Sequence, residues 1–363
     1  MYRACLHRPF SAPVATLSTA GEGGEQAGAL SSAAMTTLVR HPALLIGLLL
    51  ATVAGTPAAA QAPASPPPFC APDGSGTGSY EGWPVPGRAQ ADGELIPYIV
   101  STQLVAGPAR ILITLLNAEN AITAAPDVPV TLALYDLAAD PATPVATVEG
   151  SFIDPGTGRG LYRFATELRC AGDWGFEVTA GFPAGPVTAK VIASVRPAGT
   201  TPAIGSDAPR SESPVAETPE EIALISTDLS PEPSFYRSTI AQAVSSGKPS
   251  AILFGTPMFC QTGTCGPTIE ILKTVAASFG DAIEVVHVEP YRLRMTEAGL
   301  QPELDADGRL QPIPAVFEWG LPTEPYLFVV DAEGRVAAGF EGVIGEDEVR
   351  AAIVAALEDA AAG

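Results

Sequence analysis

The chain has 363 residues, a length that predicts two or three domains. Lys and Arg number 19 against 40 Asp and Glu, a net charge of −21 with no basic cluster. That balance argues against a nucleic-acid partner and speaks for solubility, and the 47% hydrophobic content, inflated by alanine, suffices for real cores.

Residues 1–62 read as a leader. Arg40 and His41 precede the apolar run Ala43–Ala54, and Ala60-Gln61-Ala62 fits an A-x-A cleavage site. The run is short for a membrane span, which needs about 20 residues. Cleavage and export are therefore expected, and the protein should reside outside the cytoplasm: secreted, periplasmic or in the cell envelope. An uncleaved anchor is the alternative and the sole membrane contact foreseen. Met35-Thr-Thr-Leu-Val-Arg-His-Pro makes an ordinary n-region, so Met35 is an alternative start.

Of five cysteines, Cys5 precedes the apolar run, which leaves Cys70, Cys170, Cys260 and Cys265. An even number outside the cytoplasm favours disulfides. Proximity pairs Cys260 with Cys265 and leaves Cys70 to bridge Cys170 as a structural link. Cys70 lies in an irregular lead-in, 63–91, rich in Pro, Gly and Ser.

Residues 92–197 read as all-β. Seven apolar, β-branched runs alternate with turn clusters: Tyr98–Val105, Ala109–Leu116, Val130–Leu137, Val145–Phe152, Gly160–Leu168, Trp174–Ala180 and Val187–Val195. That number and spacing of strands predict an immunoglobulin-like sandwich. Gly160-Leu-Tyr-Arg-Phe with Ala171-Gly-Asp-Trp-Gly-Phe-Glu-Val resembles the last hairpin of exported bacterial sandwich modules of the YtkA-like kind. Trp174 is expected to anchor the core.

Residues 198–220 carry no large apolar side chain beyond Ile204 and Val215, and read as an extended linker. Residues 221–363 alternate α and β. Helical periodicity covers Phe235–Ser246, then a buried strand Ala251–Phe254, a helix Pro267–Phe279 and a strand Ile283–Val288. Strands Tyr326–Asp331 and Val336–Phe340 flank a hairpin turn, and a helix Glu346–Leu357 closes the chain with acids in its first turn.

The chemistry concentrates in the loop between Ala251–Phe254 and the helix after it, Gly255-Thr-Pro-Met-Phe-Cys-Gln-Thr-Gly-Thr-Cys265-Gly-Pro-Thr. A helix start offers free N–H donors and the positive end of the dipole, and both favour thiolate. This strand, cysteine loop and helix, followed by a hairpin and a last helix, resemble the thioredoxin-like superfamily. The resemblance puts Leu272, Val275 and Ala276 on the buried helix face, Cys260 in the nucleophile's place and Cys265 in the resolving one. In Leu321-Pro-Thr-Glu-Pro-Tyr-Leu-Phe, Pro325 matches the family's cis proline that faces the cysteines. There are departures. The spacing is C-x4-C, Phe259 stands for the family's tryptophan, and Leu253 and Phe254 occupy the strand where its buried acid lies. An alternative register makes Cys265 the nucleophile with Thr268 in the resolving position.

The resemblance implies thiol–disulfide exchange with protein thiols or disulfides as partners and no cofactor. Two alternatives stand beside it. Cys260, Cys265 and His287 together suggest a copper-handling protein similar to the Sco-type chaperones, although His287, mid-strand, reads better as hydrogen-bonded within the sheet. The third reading is a non-catalytic binding protein whose 260–265 bridge staples the loop. Met258, beside Cys260, reads as gap filler.

Overall fold

The computed structural model describes residues 78–86, 89–90, 95–154, 156, 158 and 160–362. The leader, its cleavage site and Cys70 lie outside the described residues.

The first half is all β. Its strands are β1 (Ala89–Gln90), β2 (Ile96–Ile99), β3 (Gly107–Leu116), β4 (Val130–Asp136), β5 (Ala146–Glu149), β6 (Ser151–Ile153), β7 (Leu161–Leu168), β8 (Gly172–Phe182) and β9 (Gly185–Val195). They form two antiparallel sheets, ordered β1-β9-β8-β4-β5 and β2-β3-β7-β6. Alternate residues of both sheets meet in one core. Ile111, Ile113, Leu115 and Phe164 come from one sheet, and Leu132, Leu134, Trp174, Phe176 and Val178 from the other. Trp174 is fully buried and its indole N–H donates to the Cys170 carbonyl at 3.0 Å.

Two of the expected strands are rearranged. The run Val145–Phe152 is two strands in different sheets: β5 pairs with β4, β6 with β7. The chain crosses between sheets at Gly150, where a Cβ would stand 2.8 Å from the Phe164 ring. The run beginning at Tyr98 leaves the ladder after Ile99, because the Ser101 hydroxyl accepts the Leu112 N–H at 3.0 Å in place of a strand carbonyl.

The second half is α/β. Its elements are α1 (Pro219–Ile225), α2 (Ile240–Val244), β10 (Ser250–Phe254), α3 (Cys265–Ala276), β11 (Glu284–Val288), β12 (Leu293–Thr296), β13 (Gly299–Pro302), α4 (Pro314–Glu318), β14 (Tyr326–Val330), β15 (Val336–Glu341) and α5 (Glu346–Ala362). The main sheet is ordered β11-β10-β14-β15. β10 runs parallel to β11 and antiparallel to β14, and β14 runs antiparallel to β15. All five residues of β10 are buried, as a central strand covered on both faces requires. Leu253, Leu327 and Val329 face α3 and α5 through Ile269, Leu272, Val275, Val349 and Ile353. Ile252, Phe254, Val286 and Phe328 face α2 and Trp319 on the other side. Among the described residues no helix is long and apolar enough to cross a membrane.

The helix expected over Phe235–Ser246 is interrupted. A 3-10 turn covers Pro233–Tyr236, and α2 begins only after Thr239. Thr239 accepts the Gln242 N–H at 3.1 Å while Gln242 accepts the Thr239 N–H at 2.8 Å, a capping box that restarts the helix. The hairpin β12–β13 has no counterpart among the expected elements. The stretch expected as a linker, 198–220, is largely exposed but pinned to the fold at several points, and its last two residues open α1. Gly205 and Ala208 donate to the carbonyls of Val336 and Gly334 at 2.7 and 2.9 Å, and Ala216 donates to that of Tyr236 at 2.8 Å. The two halves belong to one compact unit.

Candidate functional site

β10 delivers the chain into the cysteine loop. Its apolar residues are held on both sides by β11 and β14, and Gly255 still reaches the Val288 carbonyl at 3.1 Å. The loop then turns outward, with Phe259 N–H on the Thr256 carbonyl at 3.2 Å. A second turn, Gly263 N–H to the Cys260 carbonyl at 3.2 Å, brings the chain back to α3. Gly263 has φ +73°, a conformation that a side chain disfavours, so glycine permits the fold-back here.

The two sulfurs consequently stand at disulfide distance, 2.50 Å, with the Cα atoms 6.0 Å apart. Cys260 is half-buried, whereas Cys265 is fully buried. Thr264 precedes α3 without a side-chain cap bond. The Cys260 sulfur fills that role, accepting the Cys265 N–H at 3.3 Å, with the Thr262 hydroxyl 3.1 Å away. Negative charge on this sulfur would meet a backbone donor, a hydroxyl and the positive end of a 12-residue helix.

The Glu324–Pro325 bond is cis and Pro325 is buried, immediately before β14. Its carbonyl accepts the Gly342 N–H at 2.9 Å. The Gly342 carbonyl in turn accepts the Thr268 hydroxyl at 3.4 Å, in the first turn of α3. Pro325 and the cysteine helix are thus tied through Gly342. Cys170 sits in the all-β core, far along the chain from this loop, and is disulfide-bonded; its expected partner Cys70 lies outside the described residues.

No family model matches the chain, and no curated protein matches it. Among solved structures, an engineered protein aligns over 28% of this chain and 20% of its own length, at 15% identity and a TM-score of 0.20. A candidate glycoside hydrolase from Bacteroides vulgatus aligns over 59% of this chain and 35% of its own, at 12% identity and a TM-score of 0.21. Likenesses of this size assign no fold and no function. The chemistry of the site rests on its own residues.

Beneath the cysteine loop lies a buried polar chain that the sequence did not announce. Asp228 N–H donates to Ser226 Oγ at 3.1 Å, and Ser226 Oγ and Tyr236 OH are 2.9 Å apart. Tyr236 OH stands 2.8 Å from His287 Nδ1, and His287 Nε2 stands 3.0 Å from the Gly255 carbonyl. A carbonyl only accepts, so Nε2 carries the proton and Nδ1 accepts from Tyr236. Burial pushes the His287 pKa down to about 4, which keeps the ring neutral. Both ring nitrogens are engaged, so a metal would have to displace one of these bonds. Among the described residues no three His, Cys, Asp or Glu side chains group to hold a metal ion.

Glu289, just past β11, is the buried acid near the loop. Its carboxylate accepts from Thr227 N–H at 2.7 Å, and the Thr227 hydroxyl lies 3.2 Å from Met258 N–H. Burial raises its pKa, against hydrogen bonds from Thr227 that lower it. Lys273 of α3 holds the neighbouring segment through Asp228 at 2.7 Å and the Ser230 carbonyl at 2.7 Å. Beside these groups Met258 and Leu229 are exposed, so Met258 fills no gap. Behind Glu289 a cavity of about 340 Å3 is lined by Leu224, Ile225, Tyr291, Arg292 and Glu303 among others, none from the cysteine loop. A charged residue directly after an apolar strand, Val288-Glu289, was the one sequence signal for Glu289.

Proposed function

We propose that this chain is an exported thiol–disulfide exchange protein that reacts through Cys260 and Cys265, built as an immunoglobulin-like sandwich followed by a thioredoxin-like region. The observation that carries the reading is the asymmetry of the pair. One sulfur is accessible and sits on the first N–H of a helix, and the other is buried behind it. The cis proline before β14, the strand order with β14 reversed, and the hairpin leading to α5 support the thioredoxin-like part. The two antiparallel sheets sharing one core support the sandwich.

In the oxidised form a partner thiolate attacks the accessible Cys260 sulfur. The Cys260–Cys265 bond breaks, a mixed disulfide forms, and Cys265 leaves as the thiolate and takes a proton. A second partner thiolate then attacks the partner's own sulfur in the mixed disulfide, and Cys260 leaves as a thiolate. The partner is oxidised by two electrons and the pair is reduced. The reverse reaction begins with the Cys260 thiolate attacking a partner disulfide, and Cys265 resolves the intermediate. The helix terminus stabilises Cys260 as leaving group and as nucleophile alike. Partners are protein thiols or disulfides, and Met258, exposed two residues before Cys260, offers apolar contact close to the reactive sulfur.

Trapping tests the reading. A Cys265→Ser variant, incubated with a scrambled, disulfide-containing model protein, should accumulate a mixed disulfide through Cys260, the displaced partner sulfur leaving as a thiolate. Absence of any adduct with Cys265→Ser, while Cys260 remains alkylatable, would contradict exchange.

A further inference from the structure

We propose that Arg110, on β3 of the all-β half, is a positioning residue for the cysteine pair; this rests on the exchange reading above. Its guanidinium makes more contacts than an ion pair requires. Nε and Nη2 donate to the two Glu348 oxygens, each at 2.7 Å. Nη1 donates to the Glu341 carbonyl at 3.0 Å, and Nη2 to the Val343 carbonyl at 2.6 Å. The last two acceptors bracket Gly342.

Gly342 is the residue that ties Pro325 to α3. Its N–H is on the Pro325 carbonyl and its own carbonyl takes the Thr268 hydroxyl, three residues beyond Cys265. It has φ +66°, so the turn has no side chain of its own to fix it. Arg110 supplies the fixing from the other half of the molecule. The neighbouring Thr102 N–H adds a bond to the Glu341 carboxylate at 2.8 Å. Arg163, by contrast, reaches only Asp347 and Glu348 at 3.0 and 3.2 Å and touches neither carbonyl. The ion pair with Glu348 explains adhesion of the two halves. The bonds to both carbonyls explain something else: the all-β half sets where the 341–343 turn holds the proline strand against the cysteine helix. Lysine, with one compact ammonium, keeps the charge and cannot make the fork.

The test uses the full chain and two readouts: the equilibrium constant of the Cys260–Cys265 couple against a dithiol buffer, and the pH midpoint of Cys260 alkylation. Arg110→Gln and Arg110→Lys should each shift the equilibrium constant by about threefold or more. Arg110→Lys should recover thermal stability without recovering the constant. Thr268→Val, isosteric at the far end of the relay, should shift it in the same direction. Arg163→Gln should lower stability and leave the constant unchanged. Folded Arg110→Gln with a wild-type constant and midpoint would overturn the proposal, as would an equal shift in Arg163→Gln. If Arg110→Gln does not fold, wild-type constants in both Arg110→Lys and Thr268→Val overturn it. A wild-type pair that resists glutathione but titrates with dithiothreitol defeats the exchange reading alone, since the shifts among variants are still measured.

Discussion

The Cys260 sulfur accepts the Cys265 backbone N–H at 3.3 Å and so caps the helix that carries its own bridging partner. An N-terminal N–H is a donor with no intrahelical acceptor. Whatever occupies it is stabilised more as an anion than as a neutral group.

In the reduced protein Cys260 should therefore ionise first. Alkylation across pH, read by peptide mass, should label Cys260 with a midpoint below the free-thiol value of about 8.5. Cys265, fully buried, should react later. Labelling of Cys265 first would favour the other register and exchange the two roles.

His287 makes the fold acid-sensitive. Its pKa is held at about 4 by burial, against 6.5 for the free side chain. Between those values the unfolded chain binds a proton that the folded chain refuses. Stability is full above the upper value and falls as pH drops toward the lower one, by on the order of 3 kcal/mol in total. Glu289 acts oppositely: its raised pKa gives stability that is lost as pH rises through the folded value. Urea midpoints of wild type and His287→Gln separate the two, since only the histidine slope should vanish in the variant. Equal slopes would contradict the assignment.

Much of this was legible in the residues. The β-branched and aromatic runs Val130–Leu137 and Trp174–Ala180, set between turn clusters, marked strands that line the core, and Leu272, Val275 and Ala276 sit on the buried face of α3. What escaped depends on single contacts. Gly150 divides one apolar run between two sheets because Phe164 occupies the space beside it. Thr239 stops and restarts a helix whose periodicity continues through it. The 198–218 stretch is held by backbone bonds and small residues, which composition does not register. The polar chain from Asp228 to Gly255 joins residues 226–228, 236, 255 and 287, and sequence spacing gives no sign of such an assembly.

Gly150→Ala tests the sheet crossing. The new methyl would meet the ring of Phe164, itself fully buried, at 2.8 Å. Overpacking of this kind costs about 1–3 kcal/mol, and the thermal midpoint should fall accordingly. An unchanged midpoint would mean that Phe164 relaxes freely.

Cys170 should map to Cys70 in non-reducing peptide digests. The bridge would close a long loop, worth up to about 4–5 kcal/mol in the chain-entropy model. A Cys170 peptide linked to any other cysteine, or a free Cys70 thiol, would refute this pairing.

The reduction potential of the Cys260–Cys265 couple tests the central claim most directly. An exchange protein should equilibrate with glutathione and give a value above about −300 mV. A value far below that, with a bridge that survives glutathione unchanged, would make the pair a staple and contradict the account.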